Sequence, residues 1–265
     1  MIALLPGGLE LAYDEAGAGL PLLLLHGWPH DRSLWAGQLR GLVAHARCIV
    51  PDLRGFGASS VVPPFTIEQY ADDAAALMDS LGIERAVIGG LSMGGYVALA
   101  MLRRHRHRVR ALVLADTRAS ADTDDVRATR LRLIALIEEH GVEVLAARQL
   151  RPTVGRTTFE QQPHLVELVR RMMASAPAEG AIGALRAMSA RSDSTPLLST
   201  IDVPVLVVGG TEDTFTPPEE LEALAKAIPG CRLELLESCG HVCPVERPAA
   251  FNHVISEFLA SLVYH

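Results

Sequence analysis

Apolar residues along the chain form short, nearly continuous runs, separated by longer segments with helical spacing. Runs of leucine, valine and isoleucine bounded by turn residues predict strands that are buried on both faces, as in a parallel sheet. Five such strands are predicted, at residues 20–27, 46–52, 85–90, 110–116 and 203–210. A sixth, at 232–238, lies nearer the edge, and the alternating run at 9–15 fits an antiparallel edge strand.

Amphipathic segments between these runs predict helices. The main ones are at residues 66–82, 92–105, 217–230 and 247–262. Thr66 is a suitable N-cap for the first of them, and Gly82 is a suitable end. Strands that alternate with helices predict an α/β fold, with a mostly parallel twisted sheet flanked by helices and right-handed crossovers.

Residues 119–195 break this alternation, because they contain no strand-like run and are rich in Arg, Ala, Leu and Glu. Helices are predicted there at 124–141, 142–150, 161–176 and 179–191. An all-helical insert between two core strands predicts a lid over the carboxyl ends of the sheet, where ligands bind in such folds. The expected organisation is a core of residues 1–118 and 196–265 with a lid of residues 119–195.

Composition narrows the class of protein. The formal net charge of −7 argues against a nucleic-acid partner, which calls for a basic face. The first residues, MIALLPGGLELAYDE, lack the features of a signal peptide. No apolar run approaches the roughly 18–20 residues that span a membrane. We therefore expect a soluble, cytoplasmic protein, and the sequence leaves its oligomeric state open.

The four cysteines, Cys48, Cys231, Cys239 and Cys243, are too few for a disulfide scaffold in a chain of 265 residues. The sequence CGHVC at 239–243 resembles a metal cluster in composition, but no second group of ligands accompanies it. We expect free thiols beside a histidine and no metal, and the role of these two thiols stays open.

The stretch GGLSMGGYVALAML at residues 89–102 places Ser92 between Gly90 and Gly94. A predicted strand precedes the serine and a predicted helix follows it. Glycines there permit a strained turn and close packing of strand and helix. This is the context of a nucleophile elbow, in which the serine hydroxyl is exposed for attack on a carbonyl carbon. Ser92 is therefore the candidate nucleophile.

A serine nucleophile needs a base and a carboxylate that orients the base. His241 follows the predicted strand at 232–238 and is better placed than His253 or His265, which lie in or after the last helix. Asp213 follows the strand at 203–210, and its neighbour Glu212 is the competing carboxylate. The short side chain of Asp213 makes the stiffer partner, so the predicted catalytic set is Ser92, Asp213 and His241.

Negative charge that develops on a carbonyl oxygen needs hydrogen-bond donors. The sequence HGWP at 26–29 follows a core strand, and Gly27 lets its backbone approach closely. The backbone N–H groups of Trp28 and of Met93, the residue after the serine, are the candidate donors of an oxyanion hole.

Together the motifs HGWP, DLRGFGAS, GLSMGG, GGTEDTFTPPE and CGHVCPVERPAAF resemble those of the α/β-hydrolase superfamily, over nearly the whole chain. Lidded members with GLSMGG include 3-oxoadipate enol-lactonases, aryl esterases with perhydrolase activity and carbon–carbon bond hydrolases. The resemblance implies the α/β-hydrolase fold with a helical lid after the sixth strand. One departure is Val242-Cys243-Pro244 after the histidine, where members often carry bulky apolar residues.

The resemblance and the residues together predict a serine hydrolase without a cofactor. It would cleave small or medium acyl or aryl esters through an acyl-enzyme. Enol-lactone hydrolysis, carbon–carbon bond hydrolysis and a catalytically weak ligand receptor on the same fold remain open alternatives. The expected partner is a small ester or lactone. Candidate pocket residues are Trp28, Phe56, Arg118, Leu136, Met172 and Phe215, with Arg118 as the cation that a carboxylate-bearing lactone would need.

Overall fold

The computed structural model describes residues 1–262, and the alternative base His265 lies outside the described residues. Within this range the chain forms one sheet of eight strands. The strands are β1 (Ile2–Leu5), β2 (Leu9–Ala16), β3 (Pro21–Leu25), β4 (Arg47–Pro51), β5 (Ala86–Leu91), β6 (Val109–Ala115), β7 (Val205–Gly210) and β8 (Arg232–Leu236). The runs predicted to be strands are all strands.

The strand order across the sheet is β1-β2-β4-β3-β5-β6-β7-β8. Strands from β4 to β8 pair in parallel, whereas β2 pairs antiparallel with both β1 and β4. The prediction that the strand at 9–15 forms the edge is wrong, because β1 covers its outer side. β1 was missed because it has only four residues, two of which, Ile2 and Leu4, are exposed.

Eleven α-helices occur in the described part of the chain. They are α1 (Ala36–Gly41), α2 (Ile67–Ser80), α3 (Met93–Arg104), α4 (Asp124–Thr153), α5 (Arg156–Gln161), α6 (Pro163–Ala174), α7 (Ala178–Ala190), α8 (Thr195–Leu198), α9 (Pro218–Lys226), α10 (Cys243–Glu246) and α11 (Pro248–Ser261). None of them is both long and apolar enough to cross a membrane.

The helices fall into two groups. Outside the segment between β6 and β7, the helices α2, α3, α9 and α11 begin and end within a few residues of the predicted bounds, whereas the short helices α1 and α10 were not predicted. Thr66 caps α2 by accepting a hydrogen bond from the Gln69 N–H. The others, α4 to α8, lie between β6 and β7, and we call α4 to α7 the helical insertion. α4 is kinked at Gly141, where φ is 82°, so it consists of two helical segments that correspond to the helices predicted at 124–141 and 142–150.

Hydrophobic side chains cover both faces of the sheet. In β3, Leu23 and Leu25 belong to one core, and Leu22 and Leu24 belong to the other. This alternation explains the continuous apolar runs, because every position of a central strand is buried on one face or the other. The carboxyl ends of the parallel strands meet at one edge, and the loops that leave this edge carry the candidate site.

Candidate active site

Ser92 lies on a sharp turn between a strand and a helix. β5 ends at Leu91 and α3 begins at Met93, and the Ser92 backbone has φ 54° and ψ −112°. A residue held in such a conformation is strained by about 1–3 kcal/mol, so the surroundings must fix it. The Ser92 N–H donates to the Ala115 carbonyl oxygen at 2.9 Å, and the Thr117 hydroxyl donates to the Ser92 carbonyl oxygen at 2.7 Å.

Two glycines let the strand and the helix meet around this turn. A Cβ on Gly90 would overlap the carbonyl oxygen of Gly94, and a Cβ on Gly94 would overlap the carbonyl oxygen of Leu25. The obstructing atoms belong to the backbone, so they cannot move aside as a flexible side chain could. β5, β3 and α3 therefore approach closely only because these positions have no side chain.

His241 and Asp213 come from different loops and meet beside the sheet. Asp213 follows β7, His241 follows β8, and the His241 Nδ1 lies 2.7 Å from the Asp213 Oδ2. A carboxylate only accepts hydrogen bonds, so Nδ1–H is the donor and Nε2 of the neutral ring is free to accept a proton. Asp213 is held in turn by the Phe215 N–H, at 2.7 Å from Oδ1, and by the Thr216 hydroxyl.

Glu212, the competing carboxylate, makes a different contact. Its Oε2 accepts a hydrogen bond from the Thr157 N–H at 2.7 Å, and its Oε1 accepts one from the Thr157 hydroxyl at 2.6 Å. Of the two adjacent carboxylates, Asp213 is the one that contacts the imidazole.

Burial and charge act in opposite directions on this pair. Burial lowers the pKa of His241, but the charge and hydrogen bond of Asp213 outweigh burial and hold that pKa above its usual value. Burial alone would raise the pKa of Asp213, but the charge and hydrogen bond of His241 outweigh burial and lower that pKa. Each group therefore stabilises the charged form of the other, which is what an imidazolium formed during a reaction requires.

The loop after β3 packs directly on the serine turn. A Cβ on Gly27 would lie 2.9 Å from the Leu91 side chain and 3.3 Å from the Ser92 Cβ. Met93 is the first residue of α3, where a backbone N–H has no carbonyl partner one turn earlier in the helix. The backbone N–H groups of Trp28 and Met93 thus belong to two segments that adjoin Ser92.

Ser92 and His241 line one cavity of about 350 Å³. Three of the predicted pocket residues, Trp28, Arg118 and Phe215, also line it. The cavity therefore brings together residues of five loops at the carboxyl edge of the sheet, those after β3, β5, β6, β7 and β8, with side chains of the insertion.

The other three predicted pocket residues lie outside the cavity lining. Phe56 is fully buried in one hydrophobic core, Leu136 packs against that core, and Met172 is buried in the other. Leu133 and Met173 line the cavity in place of the last two. The reason is geometric, since one residue turns a helical side chain by about 100°, as between Met172 and Met173, and three residues leave a rotation of about 60°, as between Leu133 and Leu136.

Sequence reasoning missed several residues of the cavity wall. Tyr96 lines the cavity and lies one helical turn after Ser92, a spacing that could have identified it. Arg130, Thr153 and Met188 come from the insertion, and only the packing of its helices brings them to the cavity.

The two arginines of the cavity wall have different surroundings. Arg118 lies 3.0 Å from the Glu220 carboxylate, so its charge is paired. Arg130 pairs with Asp122 through both Nε and Nη2, and its Nη1 has the Met188 sulfur as a partner at 3.4 Å. A thioether is a weak acceptor, so Nη1 of Arg130 keeps donor capacity.

Cys239 and Cys243 are buried free thiols on either side of His241. Burial raises the pKa of both thiols, which keeps them protonated and unreactive. Across residues 1–262, no three His, Cys, Asp or Glu side chains are grouped so that they could hold a metal ion.

Known proteins are similar to this chain in sequence and in overall structure. The family model described as alpha/beta hydrolase fold matches residues 21–248. The structure of a thermophilic esterase from Thermogutta terrifontis, with malate bound, superposes with a TM-score of 0.95 at 40% identity, covering 99% of this chain and 98% of that one.

Two relatives with curated names are similar over most of their length. The 3-oxoadipate enol-lactonase 2 of Acinetobacter baylyi is 32% identical over 224 residues, which cover 84% of this chain and 82% of the relative. The pimeloyl-[acyl-carrier protein] methyl ester esterase of Neisseria meningitidis is 32% identical over 257 residues, covering 91% of this chain and 77% of the relative.

Proposed function

This chain belongs to the α/β-hydrolase fold family, and from that premise we propose that it is a serine hydrolase of carboxylic esters. One observation carries the proposal. The imidazole of His241, which Asp213 holds by Nδ1, and the strained turn of Ser92 line the same cavity. Relatives named as esterases and lactonases, both of which cleave acyl–oxygen bonds, support the same reaction type.

The reaction that we propose proceeds in two steps. His241 Nε2 takes the proton of the Ser92 hydroxyl while the serine oxygen attacks the carbonyl carbon of the ester. The Trp28 and Met93 N–H groups donate to the resulting oxyanion. The alcohol leaves with the proton from His241. Water, deprotonated by His241, then attacks the acyl carbon, the bond from this carbon to the Ser92 oxygen breaks, and His241 returns the proton to that oxygen as the acid leaves. Asp213 stabilises the imidazolium in both steps.

We propose that residues 119–195 act as a lid on a core of residues 1–118 and 196–265. Arg130, Met173 and Met188 of the insertion line the same cavity as the core residues Ser92 and His241. Access of substrate would thus depend on how the insertion sits on the core.

The size of the cavity favours small substrates. A volume of about 350 Å³ is near the lower end of the range for ligand pockets, about 300–1,000 Å³. Esters with short acyl groups or a single aromatic ring fit this volume better than long-chain esters.

A second candidate is hydrolysis of a lactone that carries a carboxylate. Two cations in the cavity wall favour it, since within residues 1–262 Arg118 has no acceptor at Nε and Arg130 has only a thioether at Nη1. The malate in the Thermogutta terrifontis esterase structure is a carboxylate ligand in a related fold. Faster turnover of a carboxylate-bearing lactone than of its neutral methyl ester would favour this candidate.

The test is a series of p-nitrophenyl esters of increasing acyl length, with Ser92→Ala beside the native chain. We expect turnover that peaks at short acyl groups and falls by at least about 10³-fold in the variant. If S92A keeps its rate, the nucleophile assignment is wrong. If the native chain does not turn over esters or lactones, a carbon–carbon bond hydrolase or a ligand receptor takes their place.

A further inference from the structure

Glu246 is a buried carboxylate that joins two segments far apart in the chain. Its Oε1 accepts a hydrogen bond from the Gly240 N–H at 2.9 Å, and its Oε2 accepts one from the Gly155 N–H at 2.9 Å. Gly240 directly precedes His241, and Gly155 lies between α4 and α5 of the insertion. The side chain of Glu246 is 2% exposed, so water does not compete for these bonds.

The same two segments are also in direct backbone contact. The His241 N–H donates to the Thr153 carbonyl oxygen at 3.0 Å. A Cβ on Gly155 would lie 2.7 Å from the Gly240 nitrogen, so the two backbones touch. Two successive backbone N–H groups therefore depend on the insertion. The His241 N–H binds it directly, and the Gly240 N–H binds Glu246, which in turn binds Gly155.

The chemistry of this bridge requires a carboxylate. Both partners are backbone N–H donors, so both side-chain atoms must be acceptors. Glutamine has one acceptor oxygen and one donor NH₂, which would face one of the N–H groups and leave it unsatisfied. An unsatisfied buried donor is strongly unfavourable, and the two segments would separate.

Glu212 offers a matched comparison at the same junction. Its two oxygens bind the N–H and the hydroxyl of Thr157. A hydroxyl accepts as well as donates, so a glutamine at residue 212 keeps both hydrogen bonds. The same chemical change, a carboxylate to an amide, thus breaks one bridge and preserves the other.

We propose that Glu246 is a positioning residue, whose carboxylate couples the placement of His241 to the seating of the insertion on the core. The effect of Glu246 on the reaction rate rests on the proposed function, whereas its effect on the position of His241 does not. The catalytic base would thus be fully placed only while the segment from Thr153 to Gly155 is docked.

The first test measures His241 directly, without substrate. The readout is the low-field ¹H resonance of its Nδ1 proton in the ¹⁵N-labelled full chain, together with amide exchange at Gly155 and Gly240. In Glu246→Gln we expect the resonance to shift or broaden and both amides to exchange at least about 10-fold faster. In Glu212→Gln we expect the native resonance and native exchange rates at these two amides.

The second test is kinetic, on p-nitrophenyl acetate. E246Q should lower kcat about 10- to 100-fold with KM within about threefold, because a displaced base weakens the chemical step and not binding. E212Q should stay within about twofold of the native kcat. Gly240→Ala should reproduce the E246Q effect and replaces it if E246Q does not fold, because the three atoms nearest to its Cβ would all be backbone atoms of Val154 and Gly155 and neither carboxylate changes.

The outcomes separate the two proposals. A lower Tm with an unchanged Nδ1 resonance and kcat would show that Glu246 is merely structural and would overturn the inference. Equal effects of E246Q and E212Q would also overturn it. A native chain without esterase or lactonase turnover would end the proposed function, while the resonance and exchange data would still decide on Glu246.

Discussion

The carboxylate of Asp213 has two effects on the imidazole it contacts. It fixes the ring, since Nδ1–H points at Oδ2 over 2.7 Å, and it stabilises the protonated ring by its charge. The effect of the charge on the pKa of His241 outweighs the effect of burial, which alone would lower that pKa. Orientation and charge therefore come from the same atom pair but can be separated experimentally.

The pH profile of kcat/KM is the first prediction at this scale. A general base works only when neutral, so the rate should rise with pH through the pKa of His241. That pKa is raised, so the midpoint should lie above the usual histidine value of about 6.5. The measurement is ester hydrolysis followed by pH-stat titration between pH 5 and 9.

Asp213→Asn separates the two effects. The amide keeps the shape but loses the charge, so kcat should fall roughly 10⁴-fold and the midpoint of the residual activity should move to lower pH. A midpoint of the native pH profile at or below the usual histidine value would contradict the conclusion that the charge of Asp213 raises the pKa of His241.

At the scale of elements, the insertion is docked on the core through backbone contacts. A Cβ on Gly180 of α7 would overlap the Gly55 carbonyl oxygen in the loop after β4. Next to this contact, the Trp28 indole N–H donates to the Ala181 carbonyl oxygen at 3.0 Å. α7 is thus fixed to two loops, the loop after β4 and the loop after β3, and the second of these carries Trp28, one of the proposed oxyanion donors.

Gly180→Ala should therefore loosen the insertion. The methyl group would push α7 off the loop, lowering the free energy of unfolding by about 1–3 kcal/mol. Displacement of Ala181 should also break its bond with Trp28 and raise KM. The measurement is thermal unfolding and ester kinetics beside Glu179→Ala, an exposed change on the same helix. Native stability and KM in G180A would show that the contact is not close.

Elements of this fold could largely be predicted because local patterns determine them. β3, β5, β6 and β7 are buried on both faces, and their apolar runs reveal them without knowledge of the partners. The turn at Ser92 was predicted from its glycines. β1 has neither property, since Ile2 and Leu4 point to solvent.

The cavity wall could be predicted only in part. Which side of a helix faces the cavity depends on its rotation against its neighbours, and the sequence does not determine that rotation. Leu133 and Met173 line the cavity and also pack in the cores, whereas Leu136 and Met172, on the same helices, pack in the cores and lie outside the cavity lining. Glu246 was missed because its partner Gly155 is 91 residues away, and only the packing of the insertion on the core brings the two together.

At the scale of the whole molecule, the two ends of the insertion are tied together. Asp122, just before α4, pairs with Arg130 of α4 and with Arg191, just after α7. The Ser194 N–H donates to the Ala119 carbonyl oxygen at 2.9 Å. The insertion therefore leaves and re-enters the core at one fixed point.

Asp122→Asn should destabilise the chain strongly at neutral pH, by about 3 kcal/mol, because it leaves two arginines facing a neutral amide. Burial raises the pKa of Asp122, but Arg130 and Arg191 outweigh burial and lower it. The stabilisation is thus present above the unfolded pKa of about 3.9 and is lost as pH falls through the folded pKa.

Calorimetry at neutral pH and near pH 3 checks this prediction. The difference in the free energy of unfolding between D122N and the native chain should be smaller near pH 3 than at neutral pH. Asp124→Asn is the control, since Asp124 is 98% exposed and its pair with Arg127 contributes less than about 1 kcal/mol. Equal losses in the two variants would refute the role of the buried cluster.

The bond from Trp28 to Ala181 also gives the molecule an optical readout of its own. The chain has two tryptophans, and Trp35 is fully buried in a hydrophobic core beside Phe251, whereas Trp28 lies partly exposed with its indole on α7. Indole emission responds to hydrogen bonding and to water, so the fluorescence of Trp28 reports both a ligand in the cavity, which Trp28 lines, and a break of its bond with α7. Comparison of the native chain with G180A, in which that bond should break, separates the two responses without an attached dye.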